Sequence, residues 1–284
     1  MKILVIGASG MIGSTMLRVM NERFSSNVVG TVRDPSIARY FDPDLAKRLI
    51  FDVDVERQDC LIKVLGLVRP DVVINCAGLT KHKPTAEDPL RALPINALMP
   101  HRLAGLCALT GARFIHVSTD CVFSGKRGSY TEGDIADAED VYGRSKILGE
   151  VTYPNTVTVR TSTIGRELNS RYGLLEWFLA QNKNCNGYRK AIFSGLPTVL
   201  FARIVRDIVI PNINLSGLFH VSAAPISKYD LLRLISKEYR KEIDIVPDDT
   251  FHIDRSLDSS LFRTATGYVA PGWDEIIQLM RFCE

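Results

Sequence analysis

The chain has 284 residues, 46% hydrophobic and 24% charged, and carries a formal net charge of +3. This ordinary globular balance excludes a disordered chain, and the length suits one large domain or two intimate lobes around a sizeable core. So small a charge gives no ground for a nucleic-acid partner, and no stretch approaches the roughly 20 apolar residues of a membrane span.

The N-terminal stretch KILVIGASGMIGSTMLRVM starts as a β-branched apolar run, breaks at glycine and continues with helical spacing. Gly7, Gly10 and Gly13 thereby form GxxGxxG between a strand and a helix, with Ser9, Met11 and Ile12 interleaved. Such glycines permit a tight turn, a close backbone approach to a pyrophosphate and close helix–strand packing, while free amides at the helix start meet the phosphates. A dinucleotide site is expected there. NVVGTVR (27–33) predicts a second strand, whose end sets the choice of nicotinamide coenzyme. Arg33 suits a 2′-phosphate and points to NADPH, whereas the adjacent Asp34 could serve the ribose of NADH. RLIFDVDV (48–55) predicts a third strand; Asp52, beside Val53, either accepts from an adenine amino group or caps a turn.

DCLIKVLGLV (59–68) has a helical apolar face, and DVVINCAG (71–78) predicts a fourth strand ending in glycine. Cys76, Ala77 and Gly78 are small residues where a backbone must pass close to a flat ligand. NALMPHRLAGLCALTG (96–111) predicts a helix stopped by Gly111, and ARFIHVSTD (112–120) a fifth strand. That strand closes on Ser118, Thr119 and Asp120, at the edge of a parallel sheet where ligands collect. One of the two hydroxyls would face a substrate while its neighbour turns away.

VYGRSKILGE (141–150) begins a helix that SKILGEVTY continues, and TVTVRTSTIG (156–165) is a sixth strand. Tyr142 and Lys146 stand four residues apart and share a face of that helix. Free tyrosine, with a pKa of about 10, is a reluctant acid near neutrality, and an adjacent ammonium favours its phenolate. Lys146 can also bond a nicotinamide ribose. An isolated YxxxK is a common accident; behind GxxGxxG, NCAG and STD, in that order, it points to a nicotinamide-dependent redox centre.

Strands alternating with helices predict right-handed crossovers and a Rossmann-type, doubly wound parallel α/β sheet over residues 1–165. Beyond residue 166 the pattern loosens: GLLEWFLAQN reads as helix, FSGLPTVLF as loop and short strand, and ISKYDLLRLISKEYRKE as an amphipathic helix. LFHVSAAP (218–225) could return to the main sheet, and residues 166–284 are expected to form a smaller α/β substrate lobe. The six cysteines show no CxxC pair and the five histidines no metal-binding spacing, so a reducing compartment and no metal are expected. With no basic and apolar leader ahead of the first strand, the reading is a soluble, cytoplasmic protein.

This set of motifs resembles the extended short-chain dehydrogenase/reductases, and within them the dTDP-4-dehydrorhamnose reductase family. The likeness rests on GASGMIG, DVVINCAG, the asparagine of PINA (Asn96), HVSTDCVFSGKRGSYTEGD, VYGRSKILGE and VRTSTIG. It implies a reductase of nucleotide-linked 4-keto-6-deoxysugars for surface polysaccharide synthesis. Tyr142 would donate the proton, Thr119 bond the carbonyl or the phenol, and Lys146 orient the ribose. Asn96 would take a structural place beside the coenzyme. Thr80, Asp120, Cys121, Val122, Phe123, Thr163 and Arg203 would meet the sugar nucleotide. Thr163 stands where the family usually has tryptophan, and Cys121 where tyrosine is commoner. The oligomeric state stays open, a homodimer among the alternatives. Two other readings stay open: an epimerase or dehydratase of the same superfamily, and a non-catalytic, coenzyme-sensing subunit.

Overall fold

The structure, a computed structural model, describes residues 1–81 and 84–283. In chain order the strands are β1 (Ile3–Ile6), β2 (Val28–Thr31), β3 (Leu49–Ile50), β4 (Val72–Asn75), β5 (Arg113–Thr119), β6 (Thr156–Thr161), β7 (Thr163–Ile164), β8 (Asn184–Tyr188), β9 (Ala191–Phe193), β10 (Leu196–Pro197), β11 (Gly217–His220), β12 (Ile226–Ser227), β13 (Asp244–Asp248) and β14 (Ile253–Asp254). The α-helices are α1 (Met11–Phe24), α2 (Pro43–Ala46), α3 (Gln58–Val68), α4 (Pro89–Ala92), α5 (Met99–Thr110), α6 (Val141–Leu148), α7 (Leu174–Ala180), α8 (Thr198–Ile204), α9 (Lys228–Glu238), α10 (Ser260–Thr266) and α11 (Trp273–Phe282).

Seven strands form one sheet in the order β11-β6-β5-β4-β1-β2-β3. The β1–β2, β2–β3, β1–β4 and β4–β5 pairings are parallel, as expected of strands linked by helical crossovers. Strand order reverses between β1 and β4, the switch point at which such sheets open a crevice. The strands read as continuous apolar runs because helices cover them: β1 is wholly buried, and on one side Leu4, Ile6, Val73 and Phe114 pack with Leu61 and Leu65 of α3 and Leu103 and Cys107 of α5.

Three local expectations are corrected. The third strand is only Leu49–Ile50 instead of 48–55, because Asp52 turns the chain with a left-handed φ of +57°. The helix carrying Tyr142 stops at Leu148 rather than running on to Tyr153. There Gly149 lies so close to the Asn96 carbonyl that a Cβ could not fit, and Val151 pairs through both backbone groups with the Thr158 hydroxyl. Within FSGLPTVLF, the apolar run after Pro197 is the buried helix α8 rather than loop and strand. Periodicity does not separate a short buried helix from a buried strand.

The chain divides into two compact units. The first comprises residues 1–118, 139–159 and 202–218 and contains most of the large sheet. The second comprises residues 119–138, 160–201 and 219–284. It is built on three small sheets, β10-β7, β12-β9-β14 and β13-β8, with α9 and α11.

Candidate active site

In the first unit, Gly7 takes φ +82° directly after β1, and a Cβ there would meet Ala77 Cα and N at 2.8 Å. The GASG and NCAG loops therefore touch at the switch point, which only glycine at position 7 permits. Gly13 is as tightly enclosed, by the carbonyl of Gly7 and by Ala8. Gly10 differs: a Cβ there would meet nothing nearer than Gly7 O at 3.6 Å. It caps α1 with no side-chain hydrogen bond, and the first turn holds no acidic residue. The amides of the first turn, at Met11, Ile12 and Gly13, thus open into space that no packing demands, as an approaching pyrophosphate requires. Gly7 N and Ala8 N bond Thr31, which fixes the loop to the end of β2.

Beyond that strand, Asp34 caps the 3₁₀ turn Pro35–Tyr40, its Oδ1 accepting from Ser36 N at 2.8 Å. Its carboxylate is thereby occupied locally, while the Arg33 side chain next to it is exposed. Asp52 is exposed, and Val53 is buried with its amide on Val32 O.

NCAG is held by Asn75, whose Oδ1 accepts from Ala77 N at 3.1 Å while Nδ2 lies 3.1 Å from His116 Nδ1. An amide nitrogen donating there leaves the imidazole proton on Nε2, and burial drives the His116 pKa well below its ordinary value, so the ring is neutral. Cys76 is half-buried, and burial pushes its thiol up to about 12. Asn96 sits in a π-helical turn, Leu93–Leu98, between α4 and α5. Its amide bonds both Leu79 N (2.9 Å) and Leu79 O (3.2 Å), and Nδ2 also donates to Ser145 Oγ at 3.1 Å. The loop carrying Gly78 and the exposed Thr80 is thus tied to α6.

Asp140 caps α6, its Oδ1 accepting from Gly143 N at 2.6 Å, and it pairs with Lys81 at 2.5 Å. That cap and Ser145, which bonds Tyr142 O at 2.7 Å, set the helical turn on which Tyr142 stands. Lys146 is 5% exposed and donates from Nζ to Val117 O at 2.9 Å. Burial lowers its pKa to about 8, with Glu150 and Cys76 pulling the other way. Ser118 spends its hydroxyl on Glu150 Oε1 at 2.7 Å, so of the two strand-end hydroxyls it is the one already engaged within the first unit.

Thr119 opens the second unit. Its Oγ1 accepts from Cys121 N at 3.1 Å and donates to Asp120 Oδ1 at 3.2 Å. Burial raises the Asp120 carboxyl pKa, against the pull of Arg255 and of hydrogen bonds from Thr119, Cys121 and Ser162. The side chains of Val122 and Phe123 are fully buried and offer a ligand no surface. Phe123 is stacked on Tyr130 at 4.1 Å, with the Arg160 guanidinium 5.1 Å from its ring centre. Thr163 is half-buried in β7, opposite Leu196. Arg203 is half-buried in the last turn of α8, in the first unit.

Asp140, Ser145 and Lys81 were not anticipated as parts of the site, although Asp140 ahead of a helix is a legible cap signal. Among the described residues no group of three or more His, Cys, Asp or Glu could hold a metal ion, and no helix is long and apolar enough to cross a membrane.

Known proteins resemble this chain in sequence and in fold. The chain is 26% identical over 259 residues to a dTDP-4-dehydrorhamnose reductase of Aggregatibacter actinomycetemcomitans, covering 87% of this chain and 82% of that one. It is 35% identical over 147 residues to a probable low-salt glycan biosynthesis reductase of Haloferax volcanii, spanning 51% of this chain and only 46% of that protein. In fold it matches the crystal structure of dTDP-4-dehydrorhamnose reductase from Bacillus anthracis in complex with NADP, with a TM-score of 0.82, 21% identity and 99% of both chains covered. The family model of the RmlD substrate binding domain matches residues 1–261, and the chain belongs to that family.

Proposed function

We propose that this protein is an NADPH-dependent reductase of a nucleotide-linked 4-keto-6-deoxysugar. The observation that carries the reading is the buried Lys146 ammonium, bonded to Val117 O two residues ahead of Thr119 and one helical turn from Tyr142. The relatives' names, the open amides at the start of α1 and the Arg33–Asp34 geometry support it. Gly7, Gly10 and Gly13 with the amides of α1 hold the coenzyme pyrophosphate, Arg33 its 2′-phosphate, and Cys76–Gly78 its flat rings. Bound NADPH supplies the hydride.

Tyr142 gives its phenolic proton to the C4 carbonyl oxygen of the sugar, and Thr119 hydrogen-bonds that oxygen. Lys146 donates to the ribose and eases proton release from the phenol. The second unit holds the sugar nucleotide. The product serves a surface polysaccharide, and the cytoplasm is the place of action. None of the six cysteines is in a disulfide, and the thiols of Cys76 and Cys107 are pushed up to about 12, as suits thiols that stay reduced and inert.

Purified protein given NADPH and a panel of dTDP-, UDP-, GDP- and CDP-linked 4-ketosugars is expected to oxidise one NADPH per sugar reduced. In the same preparation, Arg33→Ala is expected to weaken NADPH binding about tenfold or more and leave NADH unchanged. Equal affinities that the substitution does not alter would remove Arg33 from the site. One feature favours a dehydratase instead: Asp120, next to Thr119, has its carboxyl raised by burial, as a general acid would. Sugar turnover with NADPH unconsumed would decide for that reading.

Lys146 sets a pH limit on the reduction. Its folded-state value of about 8 means the ammonium is present below that pH and lost above it. The value kcat/KM is therefore expected to fall about tenfold per unit at higher pH. A profile flat to pH ~10 would show that the ammonium takes no part.

A further inference from the structure

The second unit gathers charge just past Thr119 that no sequence motif announced. Asp254 N bonds Gly125 O at 2.8 Å, which lays β14 against the loop after Phe123. Gly125 has φ +85°, and a Cβ there would strike Ile253 Cγ1 at 2.5 Å and Arg255 Cγ at 3.0 Å. This close approach fixes Arg255: Nε donates to Phe123 O at 2.8 Å, and Nη1 lies 3.7 Å from Cys121 Sγ. On the other side of β9, β12 runs straight into α9, with Ser227 as the cap and Lys228 as the first helical residue. The cap hydroxyl is engaged by Asp230. Lys228 lies within electrostatic reach of Asp120, Cys121 and Arg255; burial and Arg255 lower its pKa, and Asp120 opposes them.

These groups do not balance. Two cations, Lys228 and Arg255, accompany one carboxylate, Asp120, and all three residues are half-buried. The guanidinium is committed to Phe123 O and Cys121, and Asp120 already accepts from Thr119 and Ser162. Among the described residues no hydrogen bond engages Lys228 Nζ. Lys228 is half-buried and its ammonium is met by water alone, which an anionic oxygen can replace with a charge-assisted hydrogen bond.

Resting on the nucleotide-sugar reading above, we propose that Lys228 is a specificity-determining residue whose ammonium takes an anionic oxygen of the substrate. That oxygen belongs either to the diphosphate or to a carboxylate on the sugar. Asp120 receives the neighbouring sugar hydroxyls, and Arg255 positions the Cys121–Phe123 backbone beneath them.

The test is calorimetric titration of wild type, Lys228→Met and Lys228→Arg with UDP, dTDP, UDP-glucose and UDP-glucuronate, with NADPH binding as the control for an intact fold. Lys228→Met is expected to lose about tenfold to a hundredfold in affinity, with Lys228→Arg recovering most of it. Loss for UDP or dTDP alone assigns the diphosphate, and loss confined to UDP-glucuronate assigns a sugar carboxylate. Equal binding of every ligand by wild type and Lys228→Met overturns the role of Lys228 and leaves the nucleotide-sugar reading standing. If wild type binds NADPH but none of the four ligands, that reading falls and the role of Lys228 falls with it.

Discussion

Replacing Tyr142 by phenylalanine is expected to lower kcat by about 10²–10⁴-fold while NADPH affinity and thermal stability stay near wild type. The substitution deletes one oxygen from a half-buried ring and leaves the helix that presents it untouched. That helix is held by other groups: the Asp140 cap on Gly143 N, the Asp140–Lys81 ion pair, the Ser145 bond to Tyr142 O, and the Asn96 bond to Ser145. None involves the phenol, so a fall in kcat without a fall in coenzyme affinity reports lost proton donation and not lost structure. A coenzyme-sensing subunit makes the opposite forecast, because nothing in its work would need the hydroxyl. Full in vivo function of Tyr142→Phe, with NADPH still bound, would decide for that alternative.

The loop and helix of the proposed coenzyme site are legible because their motifs are local in sequence. GASGMIG lies between a buried strand and a helix, and Tyr142 and Lys146 share one turn, so spacing alone places each group. The tie between them was not legible. Lys146 reaches Val117 across 29 residues, and Asn96 reaches Ser145 across 49 from inside a π-helical turn that has no sequence signature. Asp34 is the instructive intermediate: its place after β2 suits a ribose ligand, yet Asp-Pro-Ser is also a turn-capping pattern, and capping is what the carboxylate does.

The second unit is less legible in the sequence for a different reason. Its strands β7, β10, β12 and β14 are two residues each, below any period that can be counted. Lys228 and Arg255 come to Asp120 only through pairing on both sides of β9, with Ser227 and Asp254 both opposite Ile192. The Phe123 ring, expected against the sugar, is fully buried and stacked on Tyr130.

The glycine loop offers a paired experiment in which packing and ligand binding come apart. Gly13→Ala is expected to cost about 3 kcal/mol, the upper end of ordinary overpacking, because the added methyl meets backbone on both sides, at Gly7 and Ala8. No flexible side chain is there to yield, and the gain of about 1 kcal/mol in helix propensity does not offset the clash. A fall in Tm of roughly 6–12 °C should follow. Gly10→Ala should behave otherwise. Its φ of −81° suits any residue and its Cβ would meet only Gly7 O, at 3.6 Å. The fold loses at most about 1 kcal/mol of cap preference. The methyl does occupy the space in front of the first amides of α1, where a pyrophosphate must approach, so NADPH affinity should drop about tenfold or more. A Gly10→Ala protein that binds NADPH as wild type does would mean that the open end of α1 is not the phosphate cradle, whatever Gly13→Ala does to the melting temperature.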